Sequence, residues 1–191
     1  MRKGFFTGAL VWLLLPAAGH AADFNGGHIA ILGGWDSSRY QDDSRGIDKT
    51  VSGFGFGLAS GYDFQVSPGA ILGFGASTIL SSIDGTRTNG ADSYKVTVKR
   101  DVELAVRAGG IVDDTALLYV KAGYDNAKVK VHSDIAGVDD SYSRTKGGFR
   151  AGAGVEYAFA EKIAGVIEYR FSSYGSGFTR NQILAGIGFR F

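Results

Sequence analysis

Cysteine is absent from the 191 residues, which excludes a disulfide framework and any thiolate metal site. A marked excess of one sign of charge is absent too: 20 Lys and Arg stand against 19 Asp and Glu, so nothing favours a nucleic-acid partner. After Ala21 no apolar run reaches the roughly 18 residues that a spanning helix requires. Helical stripes at i, i+3, i+4 are missing, and the 30 glycines follow no period of three, which excludes collagen. With 45% hydrophobic and 13% aromatic residues the chain is not disordered. A compact, glycine-rich, strand-prone chain remains.

The first residues read as a secretory signal. Arg2 and Lys3 precede an apolar run from Gly4 to Ala18, and the small residues Gly19 and Ala21 stand where a signal peptidase reads. Residues 1–21 are expected to be cleaved, leaving 22–191 as one domain that begins Ala22-Asp23-Phe24. The run is short for a membrane anchor and ends in Pro16 and small residues rather than a charged stop. After export, only a soluble protein or a strand-built membrane protein fits the hydropathy.

From Gly27 onward the pattern has period two. Phe54, Phe56, Leu58 and Tyr62 share one face of a strand whose other face holds Gly53, Gly55, Gly57, Ala59 and Gly61. The same reading predicts eight strands, near 27–36, 51–64, 70–81, 94–111, 115–131, 146–159, 163–173 and 178–191. Long polar links at 37–50, 82–93 and 132–145 alternate with short ones at 65–69, 112–114 and 160–162, with an intermediate link at 172–177. An even number of strands with that alternation of links predicts an eight-stranded antiparallel up-and-down transmembrane β-barrel.

Parity assigns the faces. Ile29, Ile31, Trp35, Leu72, Phe74, Leu80, Val98, Val102, Leu104, Val106, Leu118, Val120, Tyr124, Phe149, Val155, Tyr157, Ile167, Tyr169, Phe171, Ile183, Ile187, Phe189 and Phe191 are expected outside, towards lipid. The opposite parity holds Lys99, Asp101, Glu103, Arg107, Lys121, Asp125, Arg150, Glu156, Glu168, Arg170, Arg180, Gln182 and Arg190. A soluble lipocalin-like barrel would invert this arrangement, but the interior of eight strands is too narrow for so many aromatics. Glu103 and Arg107, four apart on one strand, with Lys121, Arg150, Glu156, Glu168 and Arg170, are expected to form a network of ion pairs in the lumen. The inward set counts more bases than acids, so a narrow water path, if open, would favour anions slightly.

The segments "GFGFGLASGYDFQ" from Gly53, "AILGFGAS", "LAVRAGG" and "LLYVKAGY" between Leu104 and Tyr124, "GAGVEYAF" at 152–159, "EYRF" at 168–171 and the closing "GIGFRF" resemble small outer-membrane β-barrel proteins of Gram-negative bacteria. These are the OmpA-like or "porin family" surface proteins common in alphaproteobacteria. The resemblance covers the chain after the signal and implies a structural or surface role in the cell outer membrane, with no catalytic residue, cofactor or metal to carry over. Unlike OmpA, the chain is expected to carry no peptidoglycan-binding domain. Phe191, with Phe189 and Ile187 alternating before it, resembles the C-terminal signal read by the barrel-assembly machinery. Other implied partners are outer-membrane lipid and lipopolysaccharide, and a host or surface ligand at the outer loops.

Two further functions are weighed, a narrow porin-like channel and a lipid A-modifying enzyme. Acyl chemistry needs a base beside a hydroxyl nucleophile. After the signal only His28, expected at an interface near a strand start, and His132, beside Ser133, are offered, and neither lies in a recognisable triad. Loop carboxylates Asp42, Asp43, Asp48, Asp84, Asp92, Asp139 and Asp140, with Arg45, Arg87 and Arg144, lack the spacing of a calcium hand and read as solvated charges. The glycines from Gly53 to Gly57 lie inside a strand and open no helix, so they are no dinucleotide turn.

Overall fold

A computed structural model describes residues 23–42, 47–89, 92–135, 138–175 and 177–191, with side chains at 23–41, 48–81, 100–128, 145–175 and 177–191. The predicted leader, residues 1–21, lies outside the described residues, as do the side chains of Val98, Lys99, His132 and most of the acidic loop residues. Eight strands follow in chain order: β1 Gly26–Asp42, β2 Ile47–Ser67, β3 Ala70–Asn89, β4 Asp92–Val112, β5 Ala116–Ile135, β6 Val138–Ala160, β7 Ile163–Ser173 and β8 Phe178–Arg190. Each pairs antiparallel with its neighbours, and β1 pairs with β8, so the sheet closes on itself. Closure leaves no unpaired edge, the condition for strands to cross a bilayer. Gly27 and Phe191 complete the seam by exchanging two backbone hydrogen bonds of 2.9 Å.

Strand length departs from the sequence reading. β7 and β8, of 11 and 13 residues, are near the length of about 9–11 that one crossing requires. β1 to β6 have 17 to 23 residues, and the stretches expected as polar loops at 37–50, 82–93 and 132–145 largely continue as paired strand. Their polar side chains hid this, because a hairpin standing in water has no apolar face to reveal its period. On one such hairpin Arg39 Nε donates to Asp48 Oδ1 at 2.8 Å. That hydrogen bond holds the Asp48 carboxyl below its ordinary range, so the pair is intact above that range and is fully lost only once the pH falls below it. At the other end the turns are tight. Asp113 and Asp114 both take positive φ, 50° and 55°, as the central pair of a type I′ turn does, and the Thr115 N–H donates back to the Val112 carbonyl at 3.3 Å.

The outer wall is apolar. Ile31, Leu104, Val106, Val120 and Ile187 are each more than 60% exposed, and of the residues assigned outward only Val155 and Tyr157 are half-buried among those with described side chains. Trp35 and Phe54 stand opposite one another towards the long-hairpin end. Tyr62, Phe64 and Phe74 cluster towards the turn end with centroid spacings of 4.8 and 6.2 Å. Aliphatic residues between two aromatic girdles are the pattern of a lipid-facing band.

Glycine on the inner face permits the tight closure of β1, β2, β3 and β8. A Cβ at Gly57 would lie 2.8 Å from Ile79 Cα and collide with the Thr78 carbonyl, whereas one at Gly69 in the β2–β3 turn would meet nothing within 4 Å. Gly57→Val is therefore expected to cost at least the roughly 1–3 kcal/mol of an overpacked site, and Gly69→Ala to be neutral. Refolding into detergent, read as the heat-dependent shift in gel mobility, should give markedly less folded protein for the first variant and the wild-type amount for the second.

Candidate functional site

The strand period turns every second residue inward, and the inward set sorts into three tiers along the barrel axis. Nearest the short turns, Arg107 on β4 donates through Nε to Asp63 Oδ1 on β2 at 2.7 Å and through Nη1 to Glu156 Oε1 on β6 at 2.6 Å. Arg190 on β8 joins the same two carboxylates, at 2.6 Å to Glu156 and 3.1 Å to Asp63. His28 Nδ1 lies 3.4 Å from Asp63 and 3.3 Å from Arg107. Below them Phe24, only 1% exposed, folds into the mouth against Ile71, Leu117 and Tyr119. Arg190 holds it there, donating to the Phe24 carbonyl at 3.0 Å with its guanidinium 4.8 Å from the ring centroid.

The middle tier links four strands. Lys121 on β5 reaches Glu168 on β7 at 2.7 Å and Glu103 on β4 at 3.0 Å. Arg170 on β7 pairs with Glu168 and spans the interior to Glu103 at 3.2 Å and to the Ser77 hydroxyl on β3 at 3.0 Å. Tyr119 donates to Glu168 at 2.6 Å, and the Arg107 guanidinium lies 5.0 Å from the Tyr119 ring centroid, which ties the two tiers together. Between them is a cavity of about 50 Å³ beside Ala59, Gly75, His28 and these charges, room for a water or two.

The tier towards the long hairpins is the most deeply buried. Arg150, Arg180, Asp36, Asp101 and Asp125 are all 0% exposed. Arg180 on β8 donates to Asp36 on β1 at 2.8 Å, pairs with Asp101 on β4 at 2.6 Å and donates to Ser81 on β3 at 2.8 Å. Arg150 on β6 donates to Asp125 on β5 at 2.5 Å and to Ser172 on β7 at 2.7 Å, and reaches Glu103 of the middle tier at 3.5 Å. Gln182 donates to Asp36 at 3.0 Å and Tyr174 donates to Asp125.

All seven residues named from the sequence stand in these tiers, but not in the pairing that their spacing implied. Glu103 and Arg107 take different partners, because the register sets Arg107 beside the carboxylates of β2 and β6 and Glu103 beside the cations of β5, β6 and β7. Sequence reasoning missed Asp36 and Asp63, both 0% exposed. Each had a signal, since Asp36 follows the outward Trp35 and Asp63 sits between the outward Tyr62 and Phe64. With these two included, the described inward residues hold seven carboxylates, Asp36, Asp63, Asp101, Glu103, Asp125, Glu156 and Glu168, against six bases, Arg107, Lys121, Arg150, Arg170, Arg180 and Arg190. The expected basic excess, and the anion preference drawn from it, therefore do not hold among the described residues. His28, expected at an interface, instead points inward to Asp63 and Arg107.

Chemically the arrangement is a set of charge-assisted hydrogen bonds, in which each carboxylate meets guanidinium, ammonium or hydroxyl donors. No cluster of three His, Asp or Glu among the described residues is placed to hold a metal ion. Removing one partner of a buried pair strands the other, at a cost of about 3–5 kcal/mol. Arg107→Ala, which leaves Asp63 and Glu156 to share Arg190 alone, is expected to unfold at markedly lower denaturant than wild type when followed by tryptophan fluorescence. Arg39→Ala on the exposed hairpin should leave the midpoint unchanged.

Comparison with known proteins gives this architecture its relatives. The 31 kDa outer-membrane immunogenic protein of Brucella melitensis is 26% identical over 172 residues, covering 80% of this chain and 72% of that protein. The 22 kDa outer membrane protein of Rhizobium leguminosarum is 29% identical over 172 residues, covering 84% and 76%. Among solved structures, Neisserial surface protein A matches with a TM-score of 0.58 at 15% identity, over 87% of this chain and 98% of that one. The attachment invasion locus protein of Yersinia pestis matches with a TM-score of 0.56 at 20% identity, over 87% and 99%, and these two likenesses concern the fold. The family model for the outer membrane protein beta-barrel domain matches residues 7–191, and the chain belongs to that family of the bacterial outer membrane.

Proposed function

We propose that this chain is a non-enzymatic structural and surface protein of the outer membrane, exported by a leader cleaved after Ala21, with a lumen closed by its own side chains. One observation carries the reading: Arg107, Arg170, Arg180 and Arg190 extend across the interior to partners on non-adjacent strands, above a mouth stopped by Phe24. Such bonds occupy the cross-section that ions would need, and an eight-stranded interior is only wide enough for its side chains. The cavity of about 50 Å³ between the lower and middle tiers has room for no more than a water or two.

The surface role is supported from outside the barrel. Six strands run beyond the length of a crossing and raise three hairpins above the bilayer, where a host or surface ligand would meet them. The Brucella relatives are named as immunogenic outer-membrane proteins, which fits an exposed outer end. Phe191, 72% exposed and stacked 6.3 Å from Phe189, offers the assembly machinery an apolar last strand that then zips onto β1. His28 is turned away from lipid towards Asp63, a position unsuited to acyl chemistry on lipid A.

Conductance in a planar bilayer tests the closed lumen. Refolded protein lacking residues 1–21, shown to be folded by its gel mobility, is expected to give no discrete current, and Phe24→Ala none either, because the charged tiers remain. Stepwise openings whose ion preference changes in Arg107→Ala would establish the channel reading instead.

A further inference from the structure

Every inward charge described above has a partner, which makes two outward ones conspicuous. Arg100 on β4 and Lys128 on β5 are register partners, directly opposite one another on adjacent strands, and both are exposed. Like charges in that arrangement repel. Neither has an ion pair or hydrogen bond with any described residue. The exposed Arg39, by contrast, is paired with Asp48.

Their height on the wall is informative. Arg100 stands one outward position above Val102 and two above Leu104, and it is the register partner of Leu80, all of them lipid-facing. Lys128 stands two outward positions above Tyr124, which is 57% exposed and leans against Gly147 of β6. The pair therefore lies at the top of the apolar band, on the side of the long hairpins. A cation is strongly disfavoured at the bilayer midplane and tolerated near an interface, so the site accepts charge without explaining why two like charges adjoin.

We propose that Arg100 and Lys128 form a binding site for the phosphate of a glycolipid headgroup in the outer leaflet. A phosphate between them turns their repulsion into attraction: the Arg100 fork presents paired N–H donors and Lys128 adds a compact charge. The apolar wall below, Leu80, Val102, Leu104 and Tyr124, lies where the acyl chains of the same molecule descend. Apolar wall and phosphate-binding rim together fit an amphiphile rather than a free anion. The site rests on the proposed membrane setting of the barrel and is independent of whether its lumen conducts.

The test titrates fluorescent bis-phosphorylated lipid A into phosphatidylcholine nanodiscs carrying the folded full barrel. Because lipid A can enter either leaflet of the disc, the assay does not depend on which end faces outward. Removing both cations in an R100Q/K128Q double variant is expected to weaken binding roughly tenfold or more, from about 1 kcal/mol per cation at a membrane surface. Lys49→Gln, which removes an exposed cation elsewhere on the outer end, should bind as wild type does. Fully dephosphorylated lipid A should bind wild type and the double variant equally weakly. Equal affinity of wild type and the folded double variant for the phosphorylated lipid would overturn the proposal. So would full displacement of the lipid by inorganic phosphate, which would mark a simple anion site.

Discussion

Guanidinium groups that cross the barrel interior to carboxylates on facing strands are the interactions on which the remaining features depend. A closed ring of eight strands has a narrow interior, and charge placed there leaves bulk water. Arg107, Arg170, Arg180 and Arg190 are long enough to span it, and each ends on acceptors that the register has brought to the same height. Space for them comes in part from β2 and β3, where Gly55, Gly57, Gly61, Gly73 and Gly75 take inward positions without a side chain. Glycine and arginine are thus two halves of one packing solution, and the glycine-rich composition follows from it.

Lipid imposes the complementary constraint on the outer wall. Among the described residues the buried apolar clusters are small, centred on Leu32, Ile79 and Leu184 and on Phe24, Ile71 and Leu117. Apolar surface is turned out instead, as the exposure of Ile31, Leu104, Val120 and Ile187 requires. What fixes the barrel is its closed hydrogen-bond ladder and its charged interior, with the bilayer covering the rest. The long hairpins lie beyond that covering and follow water's rules, with exposed pairs such as Arg39 and Asp48.

Much of this was legible in the sequence because period two, paired with glycine on one parity, states both the strand and its face. The eight strands, their closure and the outward set follow from that pattern. Strand ends were not legible: in the hairpins both faces meet water, so the alternation fades while the hydrogen bonding continues. Nor were the partners in the interior. Spacing along β4 set Glu103 beside Arg107, but the pairs form between strands whose stagger no single segment encodes. Asp36 and Asp63 escaped for a related reason, since each lies among apolar or small neighbours and only the three-dimensional closure sets it opposite Arg180 or Arg107.

Arginines of the interior are locked to carboxylates across the lumen, and solid-state NMR of the barrel in lipid bilayers can observe that locking. Slowly exchanging side-chain N–H signals are expected for Arg107, Arg170 and Arg180, with cross-peaks to the carboxylate carbons of Glu156, Glu103 and Asp101. Guanidinium protons that exchange rapidly with water and show no carboxylate contact would contradict it, and would mean that the interior is a hydrated passage.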